Sequence, residues 1–369
     1  MKFVIITNVV HKNHQNKWYG YEPYVREMNL WLKDKVTETK IVAPVFTEIS
    51  LDIDSSYNSN HIEILKVPTF NFLNFKEIFF TILKLPYVIF KILQAFIWAD
   101  HIHLRCPGNM GVLGSVIQVF FPHKPKTVKY AGNWDPESKQ PLSYRLQKWI
   151  ISNTFLTRNA KVLVYGEWEN QTRNIQPFFT ATYSESEIEE LPEKNLKKEI
   201  RFIYVGAFTK GKQPIKSVRV IEKLKKNGYS VFLDMYGEGD EYKKVKKYIE
   251  TNQLMAFIKL HGNTDKEKIK KAFQKSHFLI FISKSEGWPK VVAEAMFWSC
   301  LPISSSVSCV PNMLGNGTRG GLVDDDNTLE IIEIYLKDEK LYQEQVVQAK
   351  KWSQNYTLEK FDIEIQKLL

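Results

Sequence analysis

SKSEGWPKVVAEAMFWSCLPISSSVSCVPNMLGNGTRGGLVDDDN, Ser283 to Asn327, is the stretch from which the rest of this chain can be read. The run leading into it, Leu279-Ile280-Phe281-Ile282, is short, apolar and closes in small polar residues, the pattern of a buried parallel strand feeding a loop. Glu286 and Gly287 fall on that loop. Pro289 suits the first turn of a helix, where its missing N–H costs nothing, and Val291 to Ser299 continue as a helix until Leu301-Pro302 stops it. A helix starting at the carboxyl end of a strand aims free N–H groups into the crevice beyond, which is a ready anion site. Glu294, within the first two turns, is placed to accept hydrogen bonds from a diol, and Glu286 reaches the same crevice from the loop. The competing reading makes Glu286 a solvated loop residue and Glu294 an acid favoured by the helix dipole.

The two glutamates stand with seven residues between them in SEGWPKVVAEAM, which is followed by CLPISSS and GLV. This text resembles the signature of the family 4 retaining glycosyltransferases, which use nucleotide sugars. Their fold is α/β of the GT-B type: two Rossmann-like doubly wound domains facing an interdomain cleft. The resemblance covers most of the C-terminal half and, more faintly, the order of elements in the N-terminal half. It implies that Glu294 holds the donor ribose, that Glu286 acts on the sugar hydroxyls, and that the backbone of Gly287, Trp288, Pro289 and Lys290 holds phosphate and sugar. It implies no cofactor and no metal, the nucleotide sugar being a co-substrate.

A chain of 369 residues exceeds the size at which a single core keeps growing, so two domains are expected. Lys plus Arg exceeds Asp plus Glu by 51 − 41 = 10, which favours acidic partners such as phosphates or anionic lipid. No nucleic-acid motif accompanies that charge, so no nucleic-acid partner is expected. Cys106, Cys300 and Cys309 show no spacing of a disulfide framework or zinc site, which fits a reduced cytoplasm. The apolar run at Met1 to Thr7 is too short for a signal peptide and lacks its cleavage site. The expected location is cytoplasmic, with the inner face of the membrane as the refinement.

Alternating strands and helices organise the first domain, residues 1–183, the expected acceptor-binding half. A strand over Phe3–Thr7 leads into a long basic, aromatic loop, Asn8–Tyr21, and then a helix over Glu22–Lys33 with Tyr24, Met28 and Trp31 at helical spacing. The resembled family carries a glycine pair in that first loop, near the donor phosphates; here only Gly20 answers to it. Phe70–Trp98 is rich in aromatics, with Lys76, Lys84 and Lys91 on one helical face and Pro86 as a kink or break. Those lysines leave no run near the about 18 apolar residues of a membrane span. The segment reads as sheet-covering helix, or else as a basic-aromatic face resting on an anionic membrane.

His101 and His103 read as a satisfied pair on a strand rather than as metal ligands, since no third ligand has suitable spacing. Arg105 and Asn109 follow at the carboxyl end of that strand, where open α/β sheets bind ligands, and are candidates for acceptor or phosphate. After a strand at Thr127–Tyr130 comes Ala131-Gly132-Asn133-Trp134-Asp135-Pro136. Many relatives in the resembled family place a histidine here, which Ala131 or Gly132 replaces. Asn133 and Asp135 are the polar groups left to face the chemistry, or simply form a capped turn.

Residues 184–199, SESEIEELPEKNLKKE, have the composition of a linker. The second domain, 200–350, opens with a strand and the loop Gly206-Ala207-Phe208-Thr209-Lys210-Gly211-Lys212. This loop is similar to the family's glycine-arginine loop followed by a lysine, whose two cations hold the departing diphosphate. Lys212 stands at the lysine, with Lys210 nearby, while Ala207 replaces the arginine. Gly237 and Gly262 end two further strands and resemble those around the donor base and ribose. Residues 351–369 resemble the terminal helix that in such proteins crosses back to the first domain. The function implied is sugar transfer to a glycan or lipid-linked acceptor, with peripheral membrane contact. Ala207 and the empty histidine position support an alternative, a non-catalytic nucleotide-sugar-binding subunit of the same fold.

Overall fold

The computed structural model describes residues 1–46, 53–70 and 75–369, with side chains from residue 79 onward in the last stretch. The chain divides into two compact units, Met1–Phe178 with Asp362–Leu369, and Phe179–Phe361.

The first unit is built on strands β1 (Lys2–Ile6), β2 (His11–His14), β3 (Lys17–Tyr21), β4 (Glu38–Phe46), β5 (Asp54–Ser56), β6 (Ile62–Val67), β7 (His101–Cys106), β8 (Lys126–Tyr130), β9 (Ala160–Tyr165) and β10 (Ile175–Phe178). Its parallel core runs β6-β4-β1-β7-β8-β9-β10, so the order reverses between β1 and β7. Helices α1 (Glu22–Trp31), α2 (Phe75–Trp98), α3 (Asn109–Ile117) and α4 (Leu142–Ser152) cover the sheet. Strands buried on both faces read as unbroken apolar runs, and Phe3 to Ile6 are fully buried. In β8 even Lys126 and Lys129 are buried. Lys126 Nζ donates to the carbonyls of Lys124 and Arg158, and Lys129 Nζ lies 4.4 Å from the ring centroids of both Tyr165 and Phe178.

Three expectations for this unit change. The segment Asn8–Tyr21 is no simple loop: β2 and β3 form an antiparallel hairpin turned by Gln15 and Asn16, both at positive φ. Two left-handed residues in succession match the twist of the flanking strands, and this pair lacks the glycine that normally announces such a turn. The segment ending at Trp98 is one helix running through Pro86, which lies on the exposed side where water can take the carbonyl left unbonded. Lys84 and Lys91 also fail to exclude a membrane-spanning length. Phe79–Trp98 is 20 residues long with a mean hydropathy of 1.6, enough by length and composition to cross a membrane. Sheet-covering helices pass the same test, and here Val88, Ile92, Ala95 and Phe96 are fully buried in the core against β1, β4 and β6. Lys76 lies outside the described side chains.

The second unit holds β11 (Ile200–Val205), β12 (Val231–Tyr236), β13 (Ile258–Gly262), β14 (Phe278–Phe281), β15 (Leu301–Ser305) and β16 (Gly321–Val323), all parallel in the order β13-β12-β11-β14-β15-β16. Helices α5 (Pro214–Lys226), α6 (Tyr242–Thr251), α7 (Lys266–Lys275), α8 (Lys290–Phe297), α9 (Val310–Met313), α10 (Thr328–Lys337) and α11 (Glu339–Ser353) follow in turn, while α12 (Leu358–Gln366) begins in this unit and ends in the first. Lys194, within the polar stretch 184–199, donates Nζ hydrogen bonds to the carbonyls of Phe273, Ser276, Trp298 and Ser299 at 2.6–3.3 Å. It thereby adds a donor at the C-terminal ends of α7 and α8, where helix carbonyls run short of partners, Phe273 O also accepting from Ser276 N at 3.1 Å.

Candidate functional site

Open α/β sheets bind ligands beyond the carboxyl ends of their strands, at the point where strand order reverses. In the second unit that point lies between β11 and β14, paired through Phe202 with Phe278 and Ile203 with Leu279. The loop after β11 is Gly206–Lys212 and the loop after β14 is Ser283–Pro289, so two clusters distant in sequence meet there.

Hydrogen bonds fix the two loops to each other. Lys284 N donates to Gly211 O at 2.9 Å, and Ser283 Oγ donates to the same carbonyl at 3.3 Å. Behind them, Ser305 Oγ accepts from Ser283 N and donates to Ser283 O, both at 2.8 Å. Gly287 O accepts from Ser308 Oγ at 3.2 Å and from Cys309 Sγ at 3.0 Å. Beside them Gly206, Gly237 and Gly262 make a close-packed row. Gly237 has φ +126°, and a Cβ there would stand 2.1 Å from Gly206 O, so no other residue fits. Its N–H donates to Gly262 O at 2.8 Å.

Lys212 Nζ lies 2.6 Å from both carboxylate oxygens of Glu286 and 5.0 Å from the Phe281 ring centroid. Glu286 is buried and Lys212 half-buried. A buried carboxylate without a cation would be costly, so the pair accounts for its own burial. Lys210 and Ala207, in the same loop, are exposed.

Glu294 sits in the second turn of α8 and accepts a hydrogen bond from Thr182 Oγ1 at 2.7 Å. Trp288, Lys290 and Glu294 line one small cavity with Thr182, Phe297 and Tyr356. Pro289 occupies the cap position, one residue ahead of the first helical turn in which it was expected. The structure therefore gathers Lys212 with Glu286, and Trp288 and Lys290 with Glu294.

The candidates of the first unit are engaged in structure. Arg105 is ion-paired with Glu27 and lies 5.4 Å from the Tyr24 ring centroid. Burial works against its charge, but Glu27, Tyr165 and Tyr24 outweigh that and hold its pKa above the ordinary value. Asn109 opens α3 and donates to Phe70 O at 2.9 Å. Asn133 Oδ1 accepts from Asp135 N at 2.9 Å, and Asp135 Oδ1 accepts from Glu137 N at 2.8 Å, which is the turn-forming role of these residue types. Gly20 lies in β3, and a Cβ there would stand 3.2 Å from Val25 Cγ2, so its smallness lets α1 pack onto the hairpin. His101 Nε2 and His103 Nδ1 share the Thr127 hydroxyl at 3.0 and 2.8 Å, as a strand pair should.

Residues 187–352 match the family described as glycosyl transferases group 1. The matched stretch contains the Lys212–Glu286 pair and all of α8. Over 170 residues the chain is 26% identical to an uncharacterised glycosyltransferase of Methanocaldococcus jannaschii, covering 45% of this chain and 46% of that protein. It is 25% identical over 159 residues to the poly(glycerol-phosphate) alpha-glucosyltransferase of Bacillus subtilis, covering 42% of this chain and 23% of that protein. The aligned stretches thus span less than half of either relative. Among solved structures, Anabaena HepE in complex with UDP-glucose superposes over 100% of this chain and 98% of its own, with a TM-score of 0.68 at 13% identity. That likeness gives the fold, which is GT-B.

Sequence reasoning missed the residues that brace this site. Thr182, Ser305, Ser308 and Cys309 reach Glu294, Ser283 and Gly287 from 21 to 112 residues away. The small polar run Ser304-Ser305-Ser306 at a strand end was the one local signal for Ser305. Nothing in the sequence around Thr182 marks it.

Proposed function

We propose that this chain is a retaining glycosyltransferase that moves a sugar from a nucleotide-diphosphate sugar to a hydroxyl of a glycan or lipid-linked acceptor, in cell-surface polysaccharide biosynthesis. The Lys212–Glu286 pair at the switch point of a group 1 domain carries the reading. A nucleotide diphosphate competes with Glu286 for the Lys212 ammonium. As the cation shifts to the phosphates, the carboxylate is released to accept hydrogen bonds from the sugar hydroxyls. Glu294 exchanges its Thr182 partner for the ribose diol, and the Gly287–Lys290 backbone, with Trp288 and Pro289, faces phosphate and sugar.

In the reaction the bond from the anomeric carbon to the phosphate oxygen breaks, and the acceptor oxygen bonds to that carbon from the same face. The acceptor's proton passes to the departing phosphate oxygen, so neither a histidine at Ala131 nor a metal is required. Stabilising the developing diphosphate charge is the largest contribution the protein makes, and it falls to Lys212, with Lys210 in support where Ala207 supplies no cation. Gly206, Gly237 and Gly262 leave the floor free of side chains, and Gly20 is assigned to the donor phosphates. Arg105, Asn109, Asn133 and Asp135 are the acceptor-side groups.

The test is binding and hydrolysis of a panel of UDP-, GDP- and ADP-sugars by the purified chain, with Glu294→Ala beside it. One donor should bind and be slowly hydrolysed. Losing the hydrogen bonds to a charged carboxylate should weaken that donor about tenfold or more in Glu294→Ala. Binding without turnover in the presence of candidate acceptors would assign the chain to the non-catalytic subunit instead, and no binding at all would overturn the reading.

The lipid-linked acceptor class draws support from α2. The side of this helix turned away from the sheet exposes Phe79, Ile82, Leu83, Phe90 and Ile97, with Lys84 and Lys91 beside them. On α4, Leu142, Leu146 and Trp149 form another exposed apolar stripe. An apolar face edged by lysines, on a chain of net charge +10, suits an anionic bilayer. The protein should co-sediment with vesicles containing phosphatidylglycerol, and Leu83→Ser with Phe90→Ser should lower that binding more than tenfold, each side chain contributing about 1.5–3 kcal/mol when buried. Equal sedimentation of both proteins would remove the membrane from the proposal.

A further inference from the structure

A cavity of about 800 Å³ opens at the amino ends of β7, β8 and β9, the edge of the first sheet opposite the one where α/β folds bind their usual ligands. It is lined by Lys126, Arg158, Lys161 and Arg173, and by no Asp or Glu side chain. Two of these cations are committed to carbonyls. Lys126 Nζ holds Lys124 O and Arg158 O, and Lys161 Nζ holds Lys367 O at 3.2 Å. Arg158 and Arg173 are exposed, and among the described residues no carboxylate pairs with either. Elsewhere in the same unit Lys12 pairs with Asp54 and Arg105 with Glu27.

The surround is firmly built. Arg158 lies 4.5 Å from the Phe155 ring centroid, which orients its guanidinium. Asn159 Nδ2 donates to His123 O at 3.2 Å, and Asn174 Nδ2 donates to Ile151 O at 2.8 Å. The backbone carbonyls of the same two asparagines accept from Lys126 N at 2.9 Å and Val162 N at 2.7 Å, extending the sheet to the cavity rim. The local field is positive. Burial lowers the Lys126 pKa to about 8 with no carboxylate to oppose it. Burial, then Lys161 and Lys126, lower that of His101 to about 4.

We propose that this cavity binds a phosphorylated ligand, its phosphoryl oxygens held by the Arg158 and Arg173 guanidiniums. A guanidinium presents paired N–H donors that match phosphate oxygens two at a time, and an arginine without a carboxylate partner is the side chain to do so. The volume lies within the usual range for small-molecule sites, so the phosphate is carried by a larger group. The phosphoryl group can belong to a soluble sugar or glycerol phosphate or to a lipid headgroup.

The experiment uses the full chain and the double variant Arg158→Gln/Arg173→Gln, with Arg158→Lys/Arg173→Lys as a charge-preserving control. Each is titrated calorimetrically with inorganic phosphate and glycerol phosphate, and sedimented with phosphatidylcholine vesicles with and without phosphatidylglycerol. Urea unfolding curves verify that the variants are folded. A soluble ligand predicts phosphate binding that falls about tenfold or more in the glutamine variant and less in the lysine variant, with nucleotide-sugar binding unchanged. A headgroup predicts that soluble phosphates bind no protein, while phosphatidylglycerol-dependent sedimentation falls in the glutamine variant. If neither phosphate nor vesicle binding differs between the natural chain and the glutamine variant, the proposal is overturned.

Discussion

Lys212→Ala is expected to lower turnover about 10²- to 10³-fold, the usual consequence of removing one group that stabilises charge developing in a transition state. The same change acts on the resting protein, because it strands the buried Glu286 carboxylate from the ammonium 2.6 Å away. Breaking a fully buried pair costs about 3–5 kcal/mol. Lys212 keeps 30% of its side chain exposed, so water can partly replace it, and about 2 kcal/mol is the expected loss. The double variant Lys212→Met/Glu286→Gln separates the two roles. It should recover most of the stability in urea unfolding and none of the turnover. Turnover in Lys212→Ala within about threefold of the natural chain would show that the leaving charge is held elsewhere.

Acid should unfold the first unit from below about pH 6.5, where unfolded histidine begins to take up protons. Burial lowers the pKa of His11 to about 4, acting against a weaker upward pull from its bond to Val9 O. His101 is likewise lowered to about 4 by burial, Lys161 and Lys126, and His103 is held well below its ordinary value by burial, then Arg105, His101 and Lys129. All three fold neutral. Their contribution is therefore fully present above pH 6.5 and is lost as pH falls from there towards about 4, because over that interval the unfolded chain binds protons that the folded chain refuses. One such histidine changes stability by up to about 1.4 kcal/mol per pH unit, so three acting together give up to about 4 kcal/mol per unit. His277, lowered to about 4 by burial, Lys194 and Arg201 despite its bond to Asn195 O, acts the same way in the second unit. Urea midpoints followed from about pH 7 to pH 5 should fall steeply, with the first unit unfolding ahead of the second, and the slope should shrink in His11→Gln. A flat profile across that range would mean that these side chains are charged, or hydrated, in the folded state.

What the sequence made legible was local. Leu279–Ser283 read as a strand because an apolar run met small polar residues, and α8 followed from Pro289 and the spacing beyond it; both stand within a residue or two of their expected bounds. The hairpin was missed because its turn is Gln15-Asn16. β6, IEILKV, escaped because its outward-facing charges break up the apolar run. Helix α2 reaches membrane-spanning length although its apolar run is interrupted: two lysines among 20 residues lower the mean hydropathy of such a helix without cancelling it. At the site, each loop announced its chemistry, but their meeting did not. Lys212 faces Glu286 across 74 residues because β11 and β14 are neighbours, and strand order is a property of the whole sheet. Thr182 and the Ser305 brace were hidden for the same reason.

Lys194 carries one more consequence. Its four carbonyl partners lie 79, 82, 104 and 105 positions along the chain, so one ammonium spans most of the second unit's connectivity. Contacts at that separation form only after the intervening chain has closed, and closure entropy delays them. The last turns of α7 and α8 are therefore expected to be completed late and together. In hydrogen exchange the two ends are expected to open as one cooperative unit, because the helix carrying Glu294 is held by a residue from a stretch with the composition of a linker.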